Sequence, residues 1–153
     1  MVSCIAFSLP LVLACTVGIS ACNGSRTRAG ILVADETLWQ ATAVDFDYQR
    51  TLARAIEGDR LAAQKLMAFS TETDAAGALG HALVLMELMH RVGDNDFASA
   101  ARALTDDEKR VAWVLFEDGA LELHGEQFAK ALPTIYPSTY ATLAGAPPSA
   151  SPK

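Results

Sequence analysis

Beyond residue 22 this 153-residue sequence contains no cysteine: Cys4, Cys15 and Cys22 are the full set. A body without thiols needs no disulfide framework and offers no thiolate to a metal. Aromatic residues are scarce at 7%, and 12 Lys and Arg face 18 Asp and Glu, for a net charge of −6. Base stacking and counterion release both lack the residues they need, which excludes nucleic acid as a partner. The motifs HExxH, G-x-S-x-G, G-x-G-x-x-G and G-x-x-x-x-G-K are absent as well, so no zinc protease, nucleophile elbow or phosphate cradle is signalled. His81 and His90 stand nine residues apart, on opposite sides of any helix that holds both, and His124 lies elsewhere. Asp94-Asn95-Asp96 is reminiscent of a calcium loop but lacks the following glycine and the distal glutamate. No metal and no cofactor is therefore expected.

What the sequence does contain is helical periodicity. The stretch 74–92, DAAGALGHALVLMELMHRV, is apolar around most of a helical circumference, with Gly77, Gly80, Val84, Glu87, His90 and Arg91 on one narrow strip and leucines and methionines filling the rest. So thin a wet strip predicts a central helix buried on several sides. Gly77 and Gly80 would let another backbone approach, which offsets the roughly 1 kcal/mol each costs a helix interior. His81 falls on the apolar side and reads as a core histidine. Met67, Met86 and Met89 read as core, with an adaptable groove for a partner helix as the alternative.

A pattern of Gly-acid turns surrounds this helix. Gly58-Asp59, Gly93-Asp94 and Gly125-Glu126 stand 35 and then 32 residues apart. Each glycine closes one helix, and the acid behind it suits the next helix's amino terminus. Positions four, eight and eleven after the first two glycines are Ala62, Leu66 and Phe69, then Phe97, Ala101 and Leu104. The third copy fits with one residue removed, placing Phe128, Leu132 and Ile135. The long helices of the three units are expected over 45–57, 74–92 and 106–123, the last opened by a Thr105-x-x-Glu108 capping box and carrying Trp113, Phe116, Ala120 and Leu123 toward the core. A shorter turn or two of helix carries Leu38 and Trp39. Pro133 is expected to end the last unit near Leu132, with one more turn over 138–144. No stretch alternates long enough for a half-buried strand. The spacing resembles helical-hairpin repeats such as tetratricopeptide solenoids; three ordinary hairpins closed into a compact bundle, with Gly-Asp simply ending helices, are the favoured reading and an open solenoid the alternative.

The first 22 residues carry no charged side chain and run apolar from Ile5 to Ile19 apart from small polar residues, as a secretion signal does. They end in Ile19-Ser20-Ala21-Cys22, which resembles the lipobox of bacterial lipoproteins. That resemblance implies cleavage before Cys22, acylation of Cys22 and tethering to a bilayer, with the absence of Asp at position 23 pointing to the outer membrane. The expected organisation is a signal peptide over 1–21, a lipidated cysteine and flexible tether over 22–34, an all-α domain over 35–144 and a disordered tail over 145–153.

For function, these features predict a small envelope lipoprotein acting as a non-catalytic binding or adaptor module for another envelope or exported protein. The Gly-acid turns supply its candidate contacts, Asp59, Asp94, Asp96 and Glu126, because loops on a rigid scaffold most often carry binding. A periplasmic immunity protein that occludes a toxin enzyme and an unrecognised hydrolase are the alternatives.

Overall fold

A computed structural model describes residues 30–145 together with the two-residue strand Ser25–Arg26. The expected signal peptide, Cys22 and nearly all of the carboxy-terminal tail lie outside the described residues. Among the described residues eight α-helices pack as a bundle: α1 Asp35–Ala43, α2 Tyr48–Ile56, α3 Arg60–Ala68, α4 Ala75–Val92, α5 Asp94–Ala101, α6 Asp106–His124, α7 Glu126–Ile135 and α8 Pro137–Leu143. A 3-10 turn, Phe69–Glu72, joins α3 to α4. One strand pair precedes them: β1 Ser25–Arg26 lies antiparallel to β2 Leu32–Val33, with Ser25 opposite Val33. Ile31 and Val33 are buried in the main core, so the body begins before residue 35 and reclaims part of the segment expected to be tether.

The three Gly-acid corners form as the spacing implies. Gly58, Gly93 and Gly125 have φ of +92°, +87° and +81°, a region where a side chain is strained. Gly93 and Gly125 each end one helix and begin the next. The two units before residue 105 obey one register: Ala62, Leu66 and Phe69, then Phe97, Ala101 and Leu104, are all buried. In the third, Leu132 is buried but Ile135 is 41% exposed. Pro133 does not stop α7. The helix runs two residues past it to Ile135, giving up the bond the residue 133 amide would have made, and the Tyr136 N–H closes on the Leu132 carbonyl at 2.8 Å.

α4 is the central helix, with His81, Val84, Leu85, Met86, Leu88 and Met89 all buried. The glycine end of its predicted strip is not wet. A Cβ on Gly77 would strike the Gln40 side chain and one on Gly80 would meet Thr37 and Ala34, so α1 lies directly in the groove that the glycines open. The Thr37 hydroxyl donates to the Gly77 carbonyl at 3.0 Å. Water reaches the strip at its carboxy-terminal end, at His90 and Arg91, and also reaches Leu79. On the other side of α4 comes α6, and Gly119 makes that crossing possible: a Cβ there would stand 2.6 Å from the Ala82 carbonyl oxygen. Met67, Met86 and Met89 are core. Leu123, expected inside, is 48% exposed in the last turn of α6. Among the described residues no helix is long and apolar enough to cross a membrane.

Candidate functional site

Two places concentrate polar chemistry: one inside the core and one at the surface. The inner one centres on His81 of α4, which is fully buried with the Tyr48 hydroxyl 2.6 Å from Nδ1 and the Ser70 Oγ 3.2 Å from Nε2. Tyr48 begins α2 and Ser70 lies in the 3-10 turn, so the imidazole joins three elements. Phe69 packs edge-on against both the Tyr48 and His81 rings, and Phe46 stacks on Phe69 at 4.9 Å. Burial pushes the imidazole down to about 3 from the ordinary 6.5, against a smaller opposing pull from the Leu66 carbonyl. Burial also raises the Tyr48 phenol, so it keeps its proton. Both partners are hydroxyls, able to donate or to accept, so each ring nitrogen of the neutral imidazole has a partner whichever of them carries the proton. A Ser–His contact is the raw material of nucleophilic catalysis, but a base held this far below neutrality is a poor proton acceptor near pH 7. Here it satisfies buried polar groups, which otherwise cost about 1–3 kcal/mol each.

The surface site is a cleft of about 280 Å³ where the Gly58 turn meets the start of α5. Its floor is apolar, from Ala55, Ile56, Ala63 and Val92, and its rim carries Glu57, Asp59, Asp96 and the single cation Arg60. The structure therefore brings two of the four expected contact residues, Asp59 and Asp96, to one opening. Asp59 is partly committed. Its carboxylate caps α3 by accepting from the Ala62 N–H at 3.0 Å and pairs with Arg54. The Ala62 amide leads in holding this carboxyl below its usual range, with Arg54 adding to it. Asp96 and Glu57 are exposed.

The other two candidates stand elsewhere. Asp94 is structural: it accepts from the Ser138 and Thr139 amides at 2.9 and 2.8 Å, capping α8 from another helix. Partial burial raises its carboxyl, but the bonds from Ser138 and Thr139 outweigh this and leave it lowered. Asn95 adds a bond from the Ser138 hydroxyl at 2.9 Å. The run Asp94-Asn95-Asp96 is thus the first turn of a helix and a clamp on α8. Glu126 is exposed and pairs with Lys130 one turn on, at 2.6 Å. Glu87 pairs with Arg91 at 2.9 Å. Among the described residues no group of three His, Cys, Asp or Glu is placed to hold a metal ion.

Sequence reasoning missed the partners of His81. Tyr48 and Ser70 lie 33 and 11 residues away, and no motif links them. The described residues form a small all-α bundle with an acid-rimmed cleft beside Gly58. No protein family, no curated protein and no solved structure matches the chain.

Proposed function

We propose that this chain is a bacterial envelope lipoprotein, anchored through Cys22, whose helical bundle is a non-catalytic module for binding another envelope or exported protein. The observation that carries the reading is Ile19-Ser20-Ala21-Cys22 at the end of an uncharged apolar run, with every cysteine of the chain confined to those first 22 residues. Several acyl chains on one cysteine hold a protein to a bilayer durably, where one alone does not. The binding surface is the cleft beside Gly58. Its apolar floor supplies contact area, and its exposed Glu57 and Asp96 favour a partner that presents a basic side chain.

Metabolic labelling with a fatty-acid analogue tests the anchor. The native chain takes up label and fractionates with membranes, whereas the Cys22→Ser variant does neither. Label in neither would end the reading. The cleft is tested separately by in-cell crosslinking from the native chain and from a Glu57→Lys, Asp96→Lys double variant. A specific crosslinked partner should be lost on charge reversal, and equal yields from both chains would discard the cleft as its binding surface.

A further inference from the structure

Resting on that anchored reading, we propose that the first elements of the bundle form a second contact with the bilayer, with Trp39 and Leu32 seated in the lipid interface. Trp39 and Leu32 are the two most exposed large apolar side chains among the described residues, at 73% and 59%. Both belong to the first fifteen residues of the continuous body. Leu32 stands out from β2 while its neighbours Ile31 and Val33 enter the core. On α1 the buried face is Thr37, Gln40 and Ala41, which turns Trp39 to the opposite side. Tryptophan combines a large apolar ring with an N–H that remains hydrated, the character that concentrates it at membrane interfaces.

The anchor sets the occupant. Ser25 pairs with Val33, next to the residue leading into α1. Only Asn23 and Gly24 separate Ser25 from Cys22, a reach of at most about 11 Å. An acylated Cys22 would therefore hold this end of the body against the headgroups. The segment 23–30 carries Arg26 and Arg28 and no acid, a charge complementary to lipid phosphates in a chain that is acidic as a whole.

The test uses tryptophan emission from the full chain, lipidated in cells and reconstituted in phosphatidylethanolamine–phosphatidylglycerol vesicles. Trp113→Phe leaves Trp39 as the one reporter. A second chain carries Trp39→Phe, Trp113→Phe and Val114→Trp, which places the reporter in the groove between α6 and α8. Mass spectrometry of Cys22 is read on the same samples. With lipid on Cys22, Trp39 emission should shift to shorter wavelength and be quenched by brominated acyl chains, whereas the residue 114 reporter should show neither change on adding vesicles. Lipid on Cys22 with an unshifted, unquenched Trp39 overturns this contact and leaves the anchor standing. Equal quenching at both positions also overturns it, because the face would not be selected. A shift in the soluble Cys22→Ser chain that grows with protein concentration would give the surface to a second copy instead. No lipid on Cys22 removes the anchor and this contact together.

Discussion

Tyr48 and His81 bind each other in neutral form, and the cost of charging the imidazole is borne by the folded state. The free histidine takes a proton near 6.5, whereas in the fold it does so only at about 3. Between those values the unfolded chain binds more protons, so stability rises with pH across this window and falls on acidification. The slope from His81 alone should reach about 1.4 kcal/mol per pH unit. Asp94 acts in the same direction, because its lowered carboxyl stabilises the fold only while ionised. Urea midpoints should therefore drop steadily from pH 7 toward pH 4, and a flat profile would mean that His81 is not buried neutral. Tyr48→Phe removes the hydroxyl at 2.6 Å from Nδ1 and leaves a buried ring nitrogen without its partner, at about 1–3 kcal/mol. The urea midpoint of that variant, compared with wild type at pH 7, reads the loss directly.

At the scale of elements, two helix crossings on α4 depend on missing side chains. Gly119→Ala would gain up to about 1 kcal/mol of helix propensity, but its methyl meets the Ala82 backbone, which cannot swing aside as a side chain would. The net expectation is a loss of about 1–3 kcal/mol from forcing α6 off α4, visible as a lower thermal midpoint; a higher one would show that the crossing has slack. Leu85→Ala empties a fully buried site on the same helix and should cost about 2–5 kcal/mol, so an unchanged thermal midpoint would count against a core at that position. These crossings also show how far the sequence could be read. Helix periods, the Thr105–Glu108 box and the three Gly-acid corners were legible because each is written within a few neighbouring residues. Both glycines of α4 announced a close approach, although not that α1 would fill it. Gly119 went unread, since a lone glycine among Asp118, Ala120 and Leu121 carries no local mark. The contact residues divided for a similar reason: Asp59 and Asp96 share a cleft, whereas Asp94 turned inward to cap a helix 44 residues away. No local pattern distinguishes an acid that waits for a partner from one that has already found it.

For the whole molecule, the repeat spacing allowed either an open solenoid or a closed bundle, and the packing is that of a bundle. In a solenoid each unit touches only its neighbours, so removing the last repeat leaves a shorter array that still melts cooperatively. Here the third unit contributes to the shared core. Its Gly119 lies against Ala82, Phe116 packs on Phe97 with centroids 5.9 Å apart, and α6 also reaches α3 and the 3-10 turn of the first unit. Deleting residues 105–153 would uncover Met86 and Phe97 together, and burying a side chain of this size is worth about 1.5–3 kcal/mol. Such losses compete with a total stability of about 5–15 kcal/mol. The truncated chain should therefore show no cooperative transition in a circular-dichroism melt, while the full body shows one. A sharp melt from the truncated chain, merely at lower temperature, would mean that the first two units hold themselves together and that stability here propagates unit by unit.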